Sequence, residues 1–113
     1  MPVPNLSLVV LYSQDIDSLR SFYERLGLQF HEEQHTAGPK HYAAVIGQVV
    51  MELYRAAVPQ RGPVMIGFTV SHLGDILKSI EACSIYQPVQ ISESGRIAIV
   101  RDPDRRLVYL QER

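Results

Sequence analysis

The sequence predicts an α+β fold: two βαβββ units in tandem, forming one curved, eight-stranded mixed sheet with a helix on the outer face of each half. Three observations predict it. The same order of elements occurs twice: an apolar run, a helical stretch, then three apolar runs split by turn residues. A shift of 57 residues carries Leu8 onto Met65 and Glu52 onto Tyr109, aligning the first and last apolar runs of the halves. Between the halves, residues 56–63 hold two prolines and a glycine and show no periodicity, the composition of a linker. Recurrence of a whole supersecondary unit outweighs any single local pattern. A single domain over residues 1–113 is expected, with unit one at about 6–54, the linker at about 55–63 and unit two at about 64–112.

Each element has a local reason. Residues 6–12 are an apolar, β-rich run and read as the first strand. Asp15 can accept the free amides that open a helix. Ile16, Leu19, Phe22, Tyr23 and Leu26 then recur at helical spacing and form its inner face, so Phe22 and Tyr23 read as core. Gly27 stands where the helix should stop. Residues 28–33 read as strand two, 35–39 as a turn, and 42–46 and 49–54 as strands three and four, joined by Gly47-Gln48. In the second half, 65–70 reads as strand five. The second helix is expected over about 73–82, capped by Ser71, with Leu73, Ile76, Leu77 and Ile80 inward. Cys83 extends that spacing and reads as core. Residues 87–91, 97–101 and 107–111 read as strands six to eight, with Ser94-Gly95 and Asp102-Pro103-Asp104 at the turns.

Bulk composition narrows the partners. The chain has 113 residues, 46% hydrophobic and 20% charged, which is ordinary for a globular domain. A net charge of -1 provides no field to gather a polyanion and argues against nucleic acid. One cysteine excludes an intrachain disulfide and a cysteine-rich metal site, and fits a reducing compartment. No apolar run approaches the roughly 20 residues that span a bilayer, and no basic stretch precedes an apolar core at the N-terminus. A cytoplasmic location without a membrane partner is therefore expected.

Two motifs give the pattern a family likeness. Asp15-Ile16-Asp17-Ser18-Leu19-Arg20-Ser21-Phe22-Tyr23-Glu24-Arg25-Leu26-Gly27-Leu28 resembles the first-helix signature of the vicinal oxygen chelate superfamily: an acidic cap, a Phe-Tyr pair, then Leu-Gly-Leu. Arg101-Asp102-Pro103-Asp104 resembles that superfamily's Asp-Pro-Asp-Gly turn before its last strand. The likeness covers residues 6–112. The superfamily includes glyoxalase I, extradiol dioxygenases, and fosfomycin and bleomycin resistance proteins. The resemblance implies a cup with one divalent metal at its centre, held from the first and last strand of each unit. Those positions fall on Leu8, Glu52, Met65 and Tyr109. Only Glu52 suits a hard or borderline cation. Leu8 has no donor, the Met65 thioether is soft, and neutral Tyr109 is a poor ligand. A catalytic centre ordinarily has three protein ligands. No metal site and no cofactor are therefore expected, with a divalent metal as the alternative.

The expected ligand pocket comprises Leu8, Val10, Tyr12, Glu52, Tyr54, Met65, Gly67, Tyr109 and Gln111, which share strand parity with those positions. Glu52 lies in an otherwise apolar strand, where a buried carboxylate needs a partner. It anchors a ligand, or it pairs with an Arg or Tyr. His31, His35, His41 and His72 show no i, i+4 pair and read as exposed or loop residues. His41 differs from the others: Lys40-His41-Tyr42 enters a strand beside strand four, and a displaced metal site using Glu52 and His41 is conceivable. Arg96, Arg101, Arg105 and Arg106 read as a solvated edge that deters strand pairing, or as a lure for an anion.

The expected function is a small-molecule-binding protein of this superfamily without the usual metal, for an apolar or aromatic ligand. The alternative is a lyase or dioxygenase-type enzyme, using a displaced metal or Glu52 as base with Tyr109 as acid. A third possibility is an interaction module whose cup is filled by its own side chains. The resemblance also implies a homodimer, in which the units could swap between chains.

Overall fold

Eight strands, two α-helices and one 3-10 turn occupy residues 3–60 and 64–112, the part of the chain that the computed structural model describes. The last three residues of the expected linker, 61–63, lie outside it. The chain divides into two compact units, Met1–Glu24 with Leu28–Gln60, and Arg25–Gly27 with Arg61–Arg113. The strands form two four-stranded mixed sheets.

The first unit contains β1 (Leu8–Ser13), α1 (Ile16–Arg25), β2 (His31–Glu33), β3 (His41–Ile46) and β4 (Val49–Arg55). Its sheet runs β1-β4-β3-β2. β1 is parallel to β4, and the other pairs are antiparallel. Asp15 caps α1 as expected. Its carboxylate accepts the Ser18 amide at 3.1 Å and the Ser18 hydroxyl at 2.8 Å. Gly27 adopts φ 110, and the Leu28 amide reaches back to the Tyr23 carbonyl at 3.4 Å, closing the helix on its backbone. Leu19, Phe22 and Tyr23 are buried, as periodicity required. Tyr42 ties α1 to one sheet face: its hydroxyl donates to Asp17 at 2.6 Å, and Arg20 lies over its ring at 4.6 Å. Ala44, Met51 and Leu53 share that face and are buried. Strand two is shorter than expected. Only residues 31–33 pair, because Phe30 is drawn into the core.

The second unit contains β5 (Met65–Val70), α2 (Leu73–Lys78), the 3-10 turn (Ala82–Ser84), β6 (Ile85–Ser92), β7 (Gly95–Arg101) and β8 (Leu107–Glu112). Its sheet runs β5-β8-β7-β6. Leu73, Ile76, Ile80, Val100, Val108 and Leu110 form the core. The repeat holds in the backbone: Leu8 pairs with Val50 and Met65 with Leu107, positions related by the same 57-residue shift.

Several expectations are corrected here. Ser71 does not cap α2. His72 occupies the cap position at φ 59 without a side-chain bond, and the Leu73 amide instead donates to Glu112 of β8 at 2.6 Å. The helix ends at Lys78, where the Ser79 hydroxyl turns back onto the Ile76 carbonyl at 2.6 Å. Cys83 therefore lies on the 3-10 turn and is exposed, not core. The arginines are not uniformly a solvated edge. Arg106 is buried beside Asp102 at 3.0 Å and Asp104 at 3.5 Å, because Asp102 Oδ1 also gathers the Asp104 and Arg106 amides into one turn. Arg105 stands at φ 70, where the superfamily's turn has glycine. β6 is longer than expected. Its ladder shifts between Gln87 and Gln90, around Pro88, which has no amide to donate.

Replacing Arg106 with Ala removes the cation beside a buried carboxylate. A loss of roughly 3 kcal/mol in urea unfolding is expected; a loss under about 1 kcal/mol would show the pair to be energetically idle. Asp15 is held below its ordinary carboxyl value, first by the Ser18 hydroxyl and then by the Ser18 amide. Its contribution is thus full above the unfolded value near 3.8 and is lost as pH falls through the lower folded value. Asp15→Ala should lower the melting temperature at pH 7, and the gap from the parent protein should close in strong acid. A gap independent of pH would contradict this.

Candidate functional site

The face of the first sheet opposite Tyr42 has an unusual donor set. Alternation puts Leu8, Val10 and Tyr12 of β1 beside Val50, Glu52 and Tyr54 of β4. Ala43 of β3 pairs with Glu52, so His41, two residues earlier, faces the same way. Glu33 of β2 pairs with His41 and faces that side too. Two strand pairings and one turn thereby gather Glu33, His35, His41 and Glu52. One ligand atom from each lies within 4.8 Å of all the others.

The contacts are specific. His41 Nε2 lies 3.2 Å from Glu33 Oε1 and 3.4 Å from Glu52 Oε2. His35 Nε2 lies 3.3 Å from Glu33 Oε1. Glu33 Oε2 is engaged separately by His31 Nε2 at 2.8 Å. The Glu33 carboxyl is accordingly held below its ordinary range, chiefly by His31, with His41 and His35 adding to it. His41 is only 1% exposed, and its Nδ1 donates to the Pro39 carbonyl at 3.2 Å. The Tyr54 ring stacks on it at 4.3 Å and 11°, and Tyr12 lies 6.0 Å beyond Tyr54. The result is an aromatic shelf with a charged corner.

The nine expected pocket residues fall into two sets. Leu8, Val10, Tyr12, Glu52 and Tyr54 share one face of the first sheet. Met65, Gly67, Tyr109 and Gln111 share one face of the second. Gly67 lies beside the Tyr109 ring, which would meet a Cβ there at an ordinary contact distance of 3.6 Å. Gln111 donates to the Ser94 carbonyl at 2.8 Å. A cavity of about 210 Å³ in the first unit lies beside α1, lined by Ile16, Asp17, Glu32, Lys40, His41, Tyr42 and Arg55 and by none of the nine. Histidine reads differently at different positions. His31, His35 and His72 are exposed, as expected, whereas His41 is buried. Glu33 and His35 were missed as a site. The available signal was parity: Glu33 and His35 bracket the end of a strand on the side that His41 and Glu52 also face.

No protein-family model matches the chain, and no curated protein does. Solved structures do. The oxidase ChaP-H2 superposes with a TM-score of 0.77 at 20% identity, over 100% of this chain and 95% of that one. A mutant of the fosfomycin resistance protein FosX of Listeria monocytogenes, solved with Mn(II) and 1S,2S-dihydroxypropylphosphonic acid, superposes with a TM-score of 0.72 at 17% identity, over 97% and 93%. Lactoylglutathione lyase from Agrobacterium tumefaciens gives 0.65 at 19%, over 99% and 96%. The fold is that of the vicinal oxygen chelate proteins, as the two motifs implied.

The four positions that the resemblance implied for a metal hold few hard donors. Leu8 and Met65 are about half exposed and offer no hard donor, and Tyr109 has no anionic neighbour among its strand partners Gly67 and Ile99. Of those four, Glu52 alone carries a hard donor.

Burial and the neighbouring Glu52 carboxylate both push the Tyr54 phenol above 10, burial more strongly. Tyr42 is raised too, chiefly through its bond to Asp17. In a spectrophotometric titration Glu52→Gln should bring the Tyr54 transition part of the way back and leave that of Tyr42 alone. An unmoved Tyr54 transition would separate the two side chains.

Proposed function

We propose that the chain is a small-molecule-binding protein of the vicinal oxygen chelate superfamily, cytoplasmic and homodimeric, which does not hold a metal at the superfamily's usual position. The observation that carries this reading is the aromatic shelf of Tyr12 and Tyr54 with Glu52 beside it, on a face where Leu8 leaves no ligand set for catalysis. Neighbouring rings, tilted by 38°, offer apolar area at low entropic cost, and one carboxylate gives orientation. The ligand is a molecule with an aromatic or apolar body and a hydrogen-bond donor or cationic group for Glu52. Half-exposed Leu8 and Met65 support a homodimer, since such side chains gain from being covered.

A second reading has one observation in its favour. Glu52 and Tyr109 occupy equivalent positions in the two ladders, opposite Val10 and Gly67, so a base and an acid are both available for metal-free proton transfer.

A thermal-shift screen of aromatic metabolites and antibiotics separates these readings. At least one compound should raise the melting temperature, since a ligand at 100 times its Kd adds about 2.7 kcal/mol. Tyr54→Ala should weaken its binding roughly tenfold, the cost of about one stacking contact. Turnover of a bound compound that vanishes in Glu52→Gln would favour the enzyme. Affinity unchanged in Tyr54→Ala would remove the shelf from the site.

A further inference from the structure

One imidazole nitrogen and two carboxylate oxygens converge in the first unit, at His41 Nε2, Glu33 Oε1 and Glu52 Oε2. The Pro39 carbonyl can only accept, so His41 Nδ1 carries the hydrogen of that 3.2 Å bond. In the neutral ring Nε2 is then a bare lone pair, and it faces two carboxylate oxygens at 3.2 and 3.4 Å. His35 Nε2 joins the group at 3.3 Å from Glu33 Oε1. An imidazole nitrogen held this close to two carboxylate oxygens is satisfied by a positive charge among them, a metal ion or a proton on the ring.

We propose that Glu33, His35, His41 and Glu52 bind one divalent cation of the zinc type, at a centre built wholly within the first unit. Spacing supports it. Ligands at about 2.0–2.1 Å around a tetrahedral ion are separated by about 3.3 Å along each edge. Three of the six edges, at 3.2, 3.3 and 3.4 Å, are of that size, and all six lie within 4.8 Å. Donor type agrees: two imidazoles and two carboxylates suit a borderline ion, and two negative charges neutralise it. The outer contacts agree as well. His41 donates its other ring hydrogen to a backbone carbonyl, Tyr54 stacks on its ring, and His31 holds the second oxygen of Glu33. This centre differs from the superfamily's position, with which it shares only Glu52. It takes Glu52 through Oε2, the oxygen facing His41, and so leaves Oε1 for the small-molecule ligand of the proposed function.

Four protein donors make a closed site, as in structural zinc centres. Its effect is to fasten the short β2 and the turn bearing His35 to the middle of the sheet. The test uses the untagged full chain, stripped of metal and titrated with zinc chloride alone against a chromogenic chelator. One equivalent per chain is expected, with an affinity loss of roughly 100-fold in His41→Ala and 10-fold or more in His35→Ala and Glu52→Gln. Cobalt(II) alone should give the intense visible bands of a four-coordinate site. Cys83→Ser and His72→Asn should bind zinc as the parent does. His35→Ala changes an exposed turn residue and carries the test if His41→Ala does not fold. No stoichiometric zinc binding overturns the proposal, and would leave a proton as the cation at Nε2. Binding unchanged in both His35→Ala and Glu52→Gln overturns it too, as does an octahedral cobalt spectrum.

Discussion

The parallel pairing of the first and last strand within each unit is the constraint on which the rest depends. β1 lies against β4 and β5 against β8, with the same register in both. Parallel neighbours cannot be joined by a hairpin, so the chain must cross over through a helix and return through two more strands. That one requirement produces the βαβββ order. It puts the last strand of each unit inside its sheet, between a parallel and an antiparallel neighbour. Side chains on that strand are flanked on both sides, which is why Glu52 meets residues of β1 and β3 at once.

Pairing of this kind was legible because it rests on long apolar runs. The 57-residue shift read from the sequence is the shift of the β1–β4 ladder onto the β5–β8 ladder. It fails by one residue on the adjacent strand. Ala43 pairs with Glu52, but it is Ile99, not Val100, that pairs with Tyr109. The cause is the turn before the last strand, two residues at Gly47-Gln48 in one unit and a longer Asp102–Arg106 loop closed on a buried carboxylate in the other. Sequence likeness pointed to the motif, Asp102-Pro103-Asp104, but not to the burial of Arg106 behind it.

The candidate site was half legible. Glu52 stood out as a carboxylate among apolar neighbours, and His41 as a histidine entering the next strand. Their meeting at 3.4 Å depends on a cross-strand register that no local pattern encodes. Glu33 and His35 were hidden for a different reason. Each lies at the frayed end of the shortest strand, where polar residues are expected on solvation grounds alone. Histidine spacing along a helix is a familiar signal. Histidines brought together across a hairpin leave only parity, which is weak without the turn length.

The two helices are secured by different means, and this bears on the order in which the chain can assemble during synthesis. α1 takes its opening cap from Asp15, three residues from its partner amide, and closes through Gly27, so both of its end contacts are local in sequence. α2 has six residues, too few to persist alone in water, and the amide at its start is met by Glu112, 39 residues downstream. A ribosome releasing roughly 5–20 residues per second exposes the second helical stretch some seconds before that carboxylate. The end contacts of the first helix are therefore complete once it has emerged, whereas the opening contact of the second must wait for β8 to arrive beside it.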